Sequence, residues 1–273
     1  MIPAPFEYVR AGSADEALRA LVEHGDEAKL LAGGMSLLPL MKLRLATPAV
    51  LVDVGRLRDL SYVRDEGDHL AIGALTRHRD LETSDVLAQQ CGVLQAVAAE
   101  VGDNQVRHRG TIGGSVAHGD PASDLPAVLL ALDATFVARG PGGERTIEAA
   151  ELFQGFLETA LAPDELLTEI RVPKTGAGGY SYQKFNRRAQ DWAIVGAVAV
   201  TNGSTRVALV NMATTPVRAR AVEQALAGGA SAADAAEEAA DGTEPPSDLN
   251  ATPEFREHLA RVLVRRALEA ASA

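Results

Sequence analysis

The apolar and polar positions of this chain change period several times, and each change marks an element. Behind Ser13-Ala14-Asp15-Glu16, residues Ala17, Leu18, Leu21 and Val22 repeat at helical spacing until Gly25 stops the stripe. Ser13 and Glu16 stand at capping-box spacing, which places the N-terminus of that helix. A short strand over Lys29 to Ala32 follows. Leu37, Leu38, Leu40, Leu43 and Leu45 predict a second helix, and Val50 to Val54 a further strand. Together these make a small β–α–β–α–β unit over residues 1–55. From His69 onward the pattern is one of short strands and turns, interrupted by helices over 85–101 and 125–132 and ending in a strand over 166–172.

Pro173-Lys174-Thr175-Gly176-Ala177-Gly178-Gly179 ends that strand and loosens the chain, which makes it the best domain boundary. Beyond it, strands are predicted over 181–185, 194–201 and 206–212. Residues 226–253 are rich in Ala, Gly, Asp, Glu and Pro, with a helix at 232–240 and a turn at Pro245-Pro246. A last helix carries Phe255, Leu259, Val262, Leu263 and Leu268 on its apolar side. The expected fold class is α+β, with domains at 1–175 (subdomains about 1–55 and 56–175) and 176–273.

Two glycine pairs interrupt this pattern with the same local grammar. The first lies in Lys29-Leu30-Leu31-Ala32-Gly33-Gly34-Met35-Ser36, the second in Thr111-Ile112-Gly113-Gly114-Ser115. One Gly-Gly alone is an ordinary turn. Two alike suggest a cradle whose backbone N–H groups converge on an anion such as a pyrophosphate. Neither loop has the spacing of a Rossmann fingerprint or a P-loop. Reading Gly-x-Ser-x-Gly from Gly113 puts Ala117 at the fifth position, so there is no nucleophile elbow.

Composition narrows the classes further. The chain has 273 residues, 47% apolar and 23% charged, and 37 acidic against 26 basic residues give a net charge of −11. That balance disfavours binding to nucleic acid or an anionic membrane, since both need a positive field. The N-terminus lacks a basic region followed by an apolar stretch, and the apolar run from Trp192 to Val200 is far short of the ~18 residues that span a bilayer. A cytoplasmic protein is expected. Cys91 is the only cysteine, so no internal disulfide and no iron–sulfur cluster held by four thiolates can form. It is expected to be a small buried hydrophobe within the helix over 85–101.

The segments AGGMSLLPLMKLRLATP (32–48), TIGGSVAHGDPASDLPAVLLAL (111–132) and KFNRRAQDWAIVGAVAV (184–200) resemble one family. It is the FAD-binding medium subunit of molybdenum hydroxylases of the carbon monoxide dehydrogenase and xanthine dehydrogenase type. The resemblance runs from Pro3 to the C-terminal HLARVLVRRAL (258–268). It implies an FAD-binding domain of the PCMH type in two subdomains, then a C-terminal domain with a small antiparallel sheet and helices. It further implies electron transfer through FAD, with a small [2Fe–2S] subunit and a large molybdopterin subunit as partners.

By motif match, the resemblance places FAD contacts at Lys29, Leu30, Leu31, Ala32, Gly33, Gly34, Met35 and Ser36, and at Thr111, Ile112, Gly113, Gly114 and Ser115. The pyrophosphate is expected on the backbone amides of both loops. Met35 stands where the family usually has a polar residue, and Ser115 where asparagine is common. Asp124 is implied as a flavin contact, its carboxylate accepting from the ring N–H or ribityl hydroxyls. Lys184 is likewise implied, although Lys184, Arg187 and Arg188 by themselves read as a solvated strand edge. Val101 and Leu167 map to apolar neighbours of the cofactor. Trp192 stands where the family has tyrosine, and reads either as core or as a ring stacked on the isoalloxazine. His118, Asp120 and Asp124 invite a competing metal-hydrolase reading, against which helix capping by Ser123 or Asp124 is the simpler role. Two further functions compatible with the same residues are a free-standing FAD oxidoreductase and a scaffold that has lost FAD.

Overall fold

The computed structural model describes residues 2–273. Three sheets carry the architecture. The first is parallel, in the order β1-β3-β2, built from β1 (Glu7–Arg10), β2 (Ala28–Leu31) and β3 (Val50–Asp53) and crossed over by α1 (Ala14–His24) and α2 (Leu37–Leu43). Ser13 caps α1 as expected, its Oγ accepting from the Glu16 amide at 3.2 Å. The reciprocal bond shifts by one residue: Glu16 Oε2 accepts from Gly12, at 2.6 Å, rather than from Ser13. The leucine stripe after the first glycine pair stops earlier than predicted. Arg44 takes a left-handed conformation (φ 59°) as the C-cap of α2, and Leu45 lies outside the helix, 73% exposed.

The second sheet is antiparallel, in the order β4-β5-β10-β6-β7. Its strands are β4 (Val63–Asp65), β5 (His69–Gly73), β6 (Thr135–Gly140), β7 (Gly143–Glu148) and β10 (Leu166–Pro173); a small hairpin, β8 (Phe153–Gly155) with β9 (Glu158–Thr159), branches from it. Six short helices pack on it: α3 (His78–Glu82), α4 (Asp85–Gln90), α5 (Gly92–Ala99), α6 (Asn104–Arg109), α7 (Ile112–His118) and α8 (Asp124–Ala131), with the single turn α9 (Ala149–Leu152) leading into the hairpin. The helix predicted over 85–101 is therefore two. It breaks at Cys91 (φ −155°, ψ 63°), where the Tyr180 ring closes on the face of Gly92. Cys91 itself is fully buried, as expected.

The third sheet is antiparallel, in the order β11-β12-β13-β14: β11 (Tyr180–Phe185), β12 (Val195–Asn202), β13 (Ser204–Val210) and β14 (Val217–Arg218). Helices α10 (Arg220–Ala227), α11 (Ala232–Ala236) and α12 (Pro253–Ala271) cover it. Both of its faces are buried. Val198, Val200, Ala208 and Val210 join the core built by α5, α8 and the second sheet. Val195, Ala197, Ala199, Val207 and Leu209 pack on the far side against Leu259, Leu263 and Val264 of α12. This is why β12 reads as a continuous apolar run instead of alternating. The apolar side of α12 differs in one respect from the predicted stripe: Phe255 is 43% exposed, while Arg256 is fully buried and donates to the carbonyl of Ile194 and, at 2.7 Å, to Asp248. Among the described residues no helix is long and apolar enough to cross a membrane.

Candidate cofactor-binding site

All three sheets contribute to one cavity of about 780 Å³. Its floor is the meeting point of the two glycine segments. Gly33 lies so close to the second segment that a β-carbon there would sit 2.2 Å from the Arg109 carbonyl oxygen and 2.8 Å from Gly110 Cα. Only glycine permits that approach. Gly34 adopts φ +77°, and the turn it makes leaves the amides of Gly33, Gly34, Met35 and Ser36 without an acceptor among the described residues. Successive unpaired amides beside a left-handed residue form an anion-binding concavity.

The second segment is built differently from the expected turn. Gly113 and Gly114 lie in the first turn of α7, with Thr111 as N-cap. Its amides are already used: Ile112 donates to Thr76 (3.0 Å), Gly113 to Ala74 (2.8 Å) and Ser115 to Thr111 (3.0 Å), while Gly114 donates to Thr111 Oγ1 (3.1 Å). The glycines serve packing here, since a β-carbon at Gly113 would meet Ala74 at 2.6 Å. What this segment offers the cavity is the Thr111 and Ser115 hydroxyls. Free amides are therefore found in the first segment, whereas those of the second already have acceptors within the chain.

Of the eighteen residues expected to contact the cofactor, seventeen line this cavity: Lys29, Leu30, Leu31, Ala32, Gly33, Gly34, Met35, Ser36, Val101, Thr111, Gly113, Gly114, Ser115, Asp124, Leu167, Lys184 and Trp192. Ile112 does not. Its side chain is fully buried in the core of the second sheet, because the first residue of α7 faces inward. Leu167 is aimed at the cavity beside a bulge in β10, between Leu167 and Glu169. Trp192 is 67% exposed at the rim, which excludes a place in the core. Its loop is anchored from behind, since Asn211 donates to the Ala193 carbonyl at 2.8 Å and Arg256 to that of Ile194.

The far wall is polar and dry. Lys184 Nζ lies 3.0 Å from Asp124 Oδ2, and the two side chains are only 6% and 7% exposed. Lys184 also donates to the Glu100 carbonyl at 3.0 Å, and the Tyr182 hydroxyl donates to Asp124 Oδ1. Burial raises the Asp124 pKa, and the Lys184 charge and the Tyr182 hydroxyl offset that rise only in part. Of the cluster that reads as a solvated strand edge, Arg187 and Arg188 are exposed, whereas the Lys184 side chain is buried on the face of β11 that meets Asp124. His118 also lines the cavity, its pKa lowered by burial. It does not join Asp120 and Asp124 in a metal centre. Asp120 Oδ1 accepts from the Ala122 amide, Asp124 is committed to Lys184 and Tyr182, and no metal-holding group of three such residues occurs among the described residues.

Sequence reasoning passed over two residues with strong local character: His78, which lines the cavity, and Tyr182, which stands behind Asp124. Tyr182 could have been found, because it stands two positions before Lys184 on a predicted strand and so shares its face. His78 carried no such signal. It is 4% exposed beneath Gly110, and its Nδ1 has no partner among the described residues. Burial, with Arg77 and Arg107 nearby, lowers its pKa to about 4. A histidine held neutral in the fold but free to protonate when unfolded destabilises the protein in acid. Stability of the cofactor-free chain should therefore fall as pH drops from about 6.5 towards 4, by up to about 3 kcal/mol at 1.36 kcal/mol per unit. Urea unfolding at several pH values should show His78→Leu losing less stability than wild type over that window; parallel curves would refute the assignment.

A parallel-sheet subdomain and an antiparallel one, meeting at a glycine cradle that a third sheet closes, define a two-subdomain FAD-binding flavoprotein. Family comparison bears this out. Residues 4–175 match the FAD binding domain in molybdopterin dehydrogenase, and residues 180–271 match the CO dehydrogenase flavoprotein C-terminal domain. The carbon monoxide dehydrogenase medium chain of Hydrogenophaga pseudoflava is 42% identical, covering 99% of this chain and 98% of its own. The 6-hydroxypseudooxynicotine dehydrogenase complex subunit alpha of Paenarthrobacter nicotinovorans is 38% identical over 98% of this chain and 95% of its own. Among solved structures, carbon monoxide dehydrogenase from H. pseudoflava superposes with a TM-score of 0.96 at 43% identity, covering 100% of this chain and 99% of its own. Quinoline 2-oxidoreductase from Pseudomonas putida 86 gives 0.93 at 30% identity, covering 100% and 99%. The chain belongs to the family of FAD-binding medium subunits of carbon monoxide dehydrogenases and related molybdenum hydroxylases.

Proposed function

We propose that this chain carries electrons through FAD within a molybdenum hydroxylase, beside a small [2Fe–2S] subunit and a large molybdopterin subunit, with FAD seated in the 780 Å³ cavity. The observation that supports this reading best is the run of unpaired amides from Gly33 to Ser36, opposite the hydroxyls of Thr111 and Ser115. A cradle of fixed N–H dipoles fits a pyrophosphate without a cationic side chain. When bound, FAD supplies a centre that takes up and releases electrons; the protein supplies position and electrostatics.

Each residue then has a physical task. The Gly33–Ser36 amides and the Ser36, Thr111 and Ser115 hydroxyls hold the pyrophosphate. The walls beside them are Lys29, Leu30, Leu31 and Ala32, with Met35 at the edge. Asp124 accepts from a ring N–H or a ribityl hydroxyl, with Lys184 fixing its charge. Val101 and Leu167 keep water from one face, and Trp192 covers the mouth. Ile112 acts only by seating the second loop in the core. The site asks for no acid, base or nucleophile, since substrate oxidation falls to a partner subunit and this chain passes electrons to an external acceptor. We place the complex in the cytoplasm, where the lone buried thiol of Cys91 stays reduced.

A visible absorption spectrum of the purified chain, with identification of the extracted cofactor, tests the reading. A yellow protein releasing FAD supports it, and a colourless one that takes up no added FAD refutes it. Trp192 gives a second test. Its indole is the only one in the chain, so intrinsic tryptophan emission reports on that position alone. If Trp192 stacks on the isoalloxazine, emission should be strongly quenched in the holoprotein and recover when FAD is removed. Trp192→Leu should also alter the flavin spectrum. Unquenched emission together with an unchanged spectrum would place the indole away from the ring.

A further inference from the structure

Tyr182 and Lys184 stand at i and i+2 on β11, so both project from one face of the strand. Both reach across to a single carboxylate, that of Asp124 at the first position of α8. Tyr182 takes Oδ1 and Lys184 takes Oδ2 at 3.0 Å. The Tyr182 ring crosses the neighbouring strand, with its hydroxyl 3.0 Å from where a β-carbon at Gly196 would stand. Lys184 spends a second N–H on the Glu100 carbonyl, leaving its third without an acceptor among the described residues. A buried carboxylate is stable as an anion only when its oxygens are hydrogen-bonded.

We propose that Tyr182 is a positioning residue of the FAD site: it fixes the Asp124 carboxylate in its ionised form and orientation, so that the C-terminal sheet sets the polarity of one end of the cavity. This rests on the FAD reading of that cavity. The charged and titratable groups facing Asp124 are Lys184 and Tyr182 from β11 and Glu100 from the end of α5. Lys184 favours the anion, whereas Glu100 and burial oppose it. Without the Tyr182 hydroxyl the balance moves towards the protonated acid, which is a poorer acceptor for a ligand N–H or hydroxyl. The loss is conditional on pH. At alkaline pH the carboxylate ionises again and the acceptor returns, whereas falling pH removes it.

The test is FAD titration of the full-length apoprotein, followed by flavin fluorescence, for wild type, Tyr182→Phe, Asp124→Asn and the double variant. Wild-type affinity should be flat between pH 6 and 9. Tyr182→Phe should bind about tenfold more weakly at pH 6, close to one charge-assisted hydrogen bond, and approach wild type at pH 9. Asp124→Asn should be weakened at every pH, with no further effect from Tyr182→Phe in its background. Affinity of Tyr182→Phe equal to wild type throughout, or reduced by the same factor at all pH values, would overturn the positioning role. Wild-type protein that binds no FAD at any pH would overturn the cofactor reading and this proposal with it.

Discussion

Gly33→Val should yield a folded protein that purifies nearly free of FAD. The β-carbon would lie 2.2 Å from the Arg109 carbonyl, with the Gly110 α-carbon at 2.8 Å, and neither is the movable end of a side chain. Relief can come only by pushing the two glycine segments apart, which opens the cradle at its floor. Overpacking of this kind costs about 1–3 kcal/mol. Levied on the bound arrangement, that strain weakens FAD by roughly 10- to 100-fold. Gly33, Arg109 and Gly110 lie outside the hydrophobic cores, so far-UV circular dichroism should stay unchanged while the melting temperature of the holoprotein falls. Gly114→Val acts by a different contact: its β-carbon would meet Thr111 Oγ1 at 2.7 Å, displacing the hydroxyl that caps α7 and faces the cavity. Flavin content per polypeptide, read from the visible spectrum, decides the matter. Full occupancy in both variants would remove the cradle from the binding site.

Why these loops were legible in the sequence, while the helices around them were not, has a physical basis. A glycine pair flanked by apolar residues announces itself locally. So does a capping box, and α1 begins where Ser13 and Glu16 put it. Helices α6 and α7 gave no such pattern. They occupy a stretch containing Gly110, Gly113 and Gly114, which disfavours helix, and depend on side-chain caps from Asp103 and Thr111 and on the close seat of Gly113 against Ala74. Tertiary packing decides them. The same holds for the break at Cys91, beside which a tyrosine remote in sequence packs on Gly92, and for Arg256, a buried cation inside an apolar stripe. The Asp124–Lys184 pairing was equally invisible, although both residues were singled out. Each was expected to meet the cofactor independently, and the structure joins them to each other first. Family resemblance located the residues; geometry was needed to say what holds them.

The purified chain, loaded with FAD but without partners, should be inert to every substrate of the complex. Oxidising an organic substrate or carbon monoxide requires a group that takes electrons from it and a path onward to the flavin. One cysteine cannot build an iron–sulfur cluster, and two carboxylates at the cavity are committed internally: Asp124 to Lys184 and Tyr182, and Glu165 to Arg145. Dithionite, which needs no binding chemistry, should bleach the flavin of the isolated chain readily. Anaerobic mixing with aldehydes, N-heterocycles or carbon monoxide should leave the flavin spectrum unchanged for hours. Adding the cluster-bearing and molybdenum subunits, with the substrate of that complex, should then produce bleaching within the turnover time. Position accounts for the difference, since the exposed mouth at Trp192 admits electrons or an acceptor at the surface but offers an organic substrate no reactive group. Rapid flavin reduction by a substrate in the isolated chain would make this a self-sufficient flavoenzyme, with a reacting group that the pairing of Asp124 and Lys184 conceals.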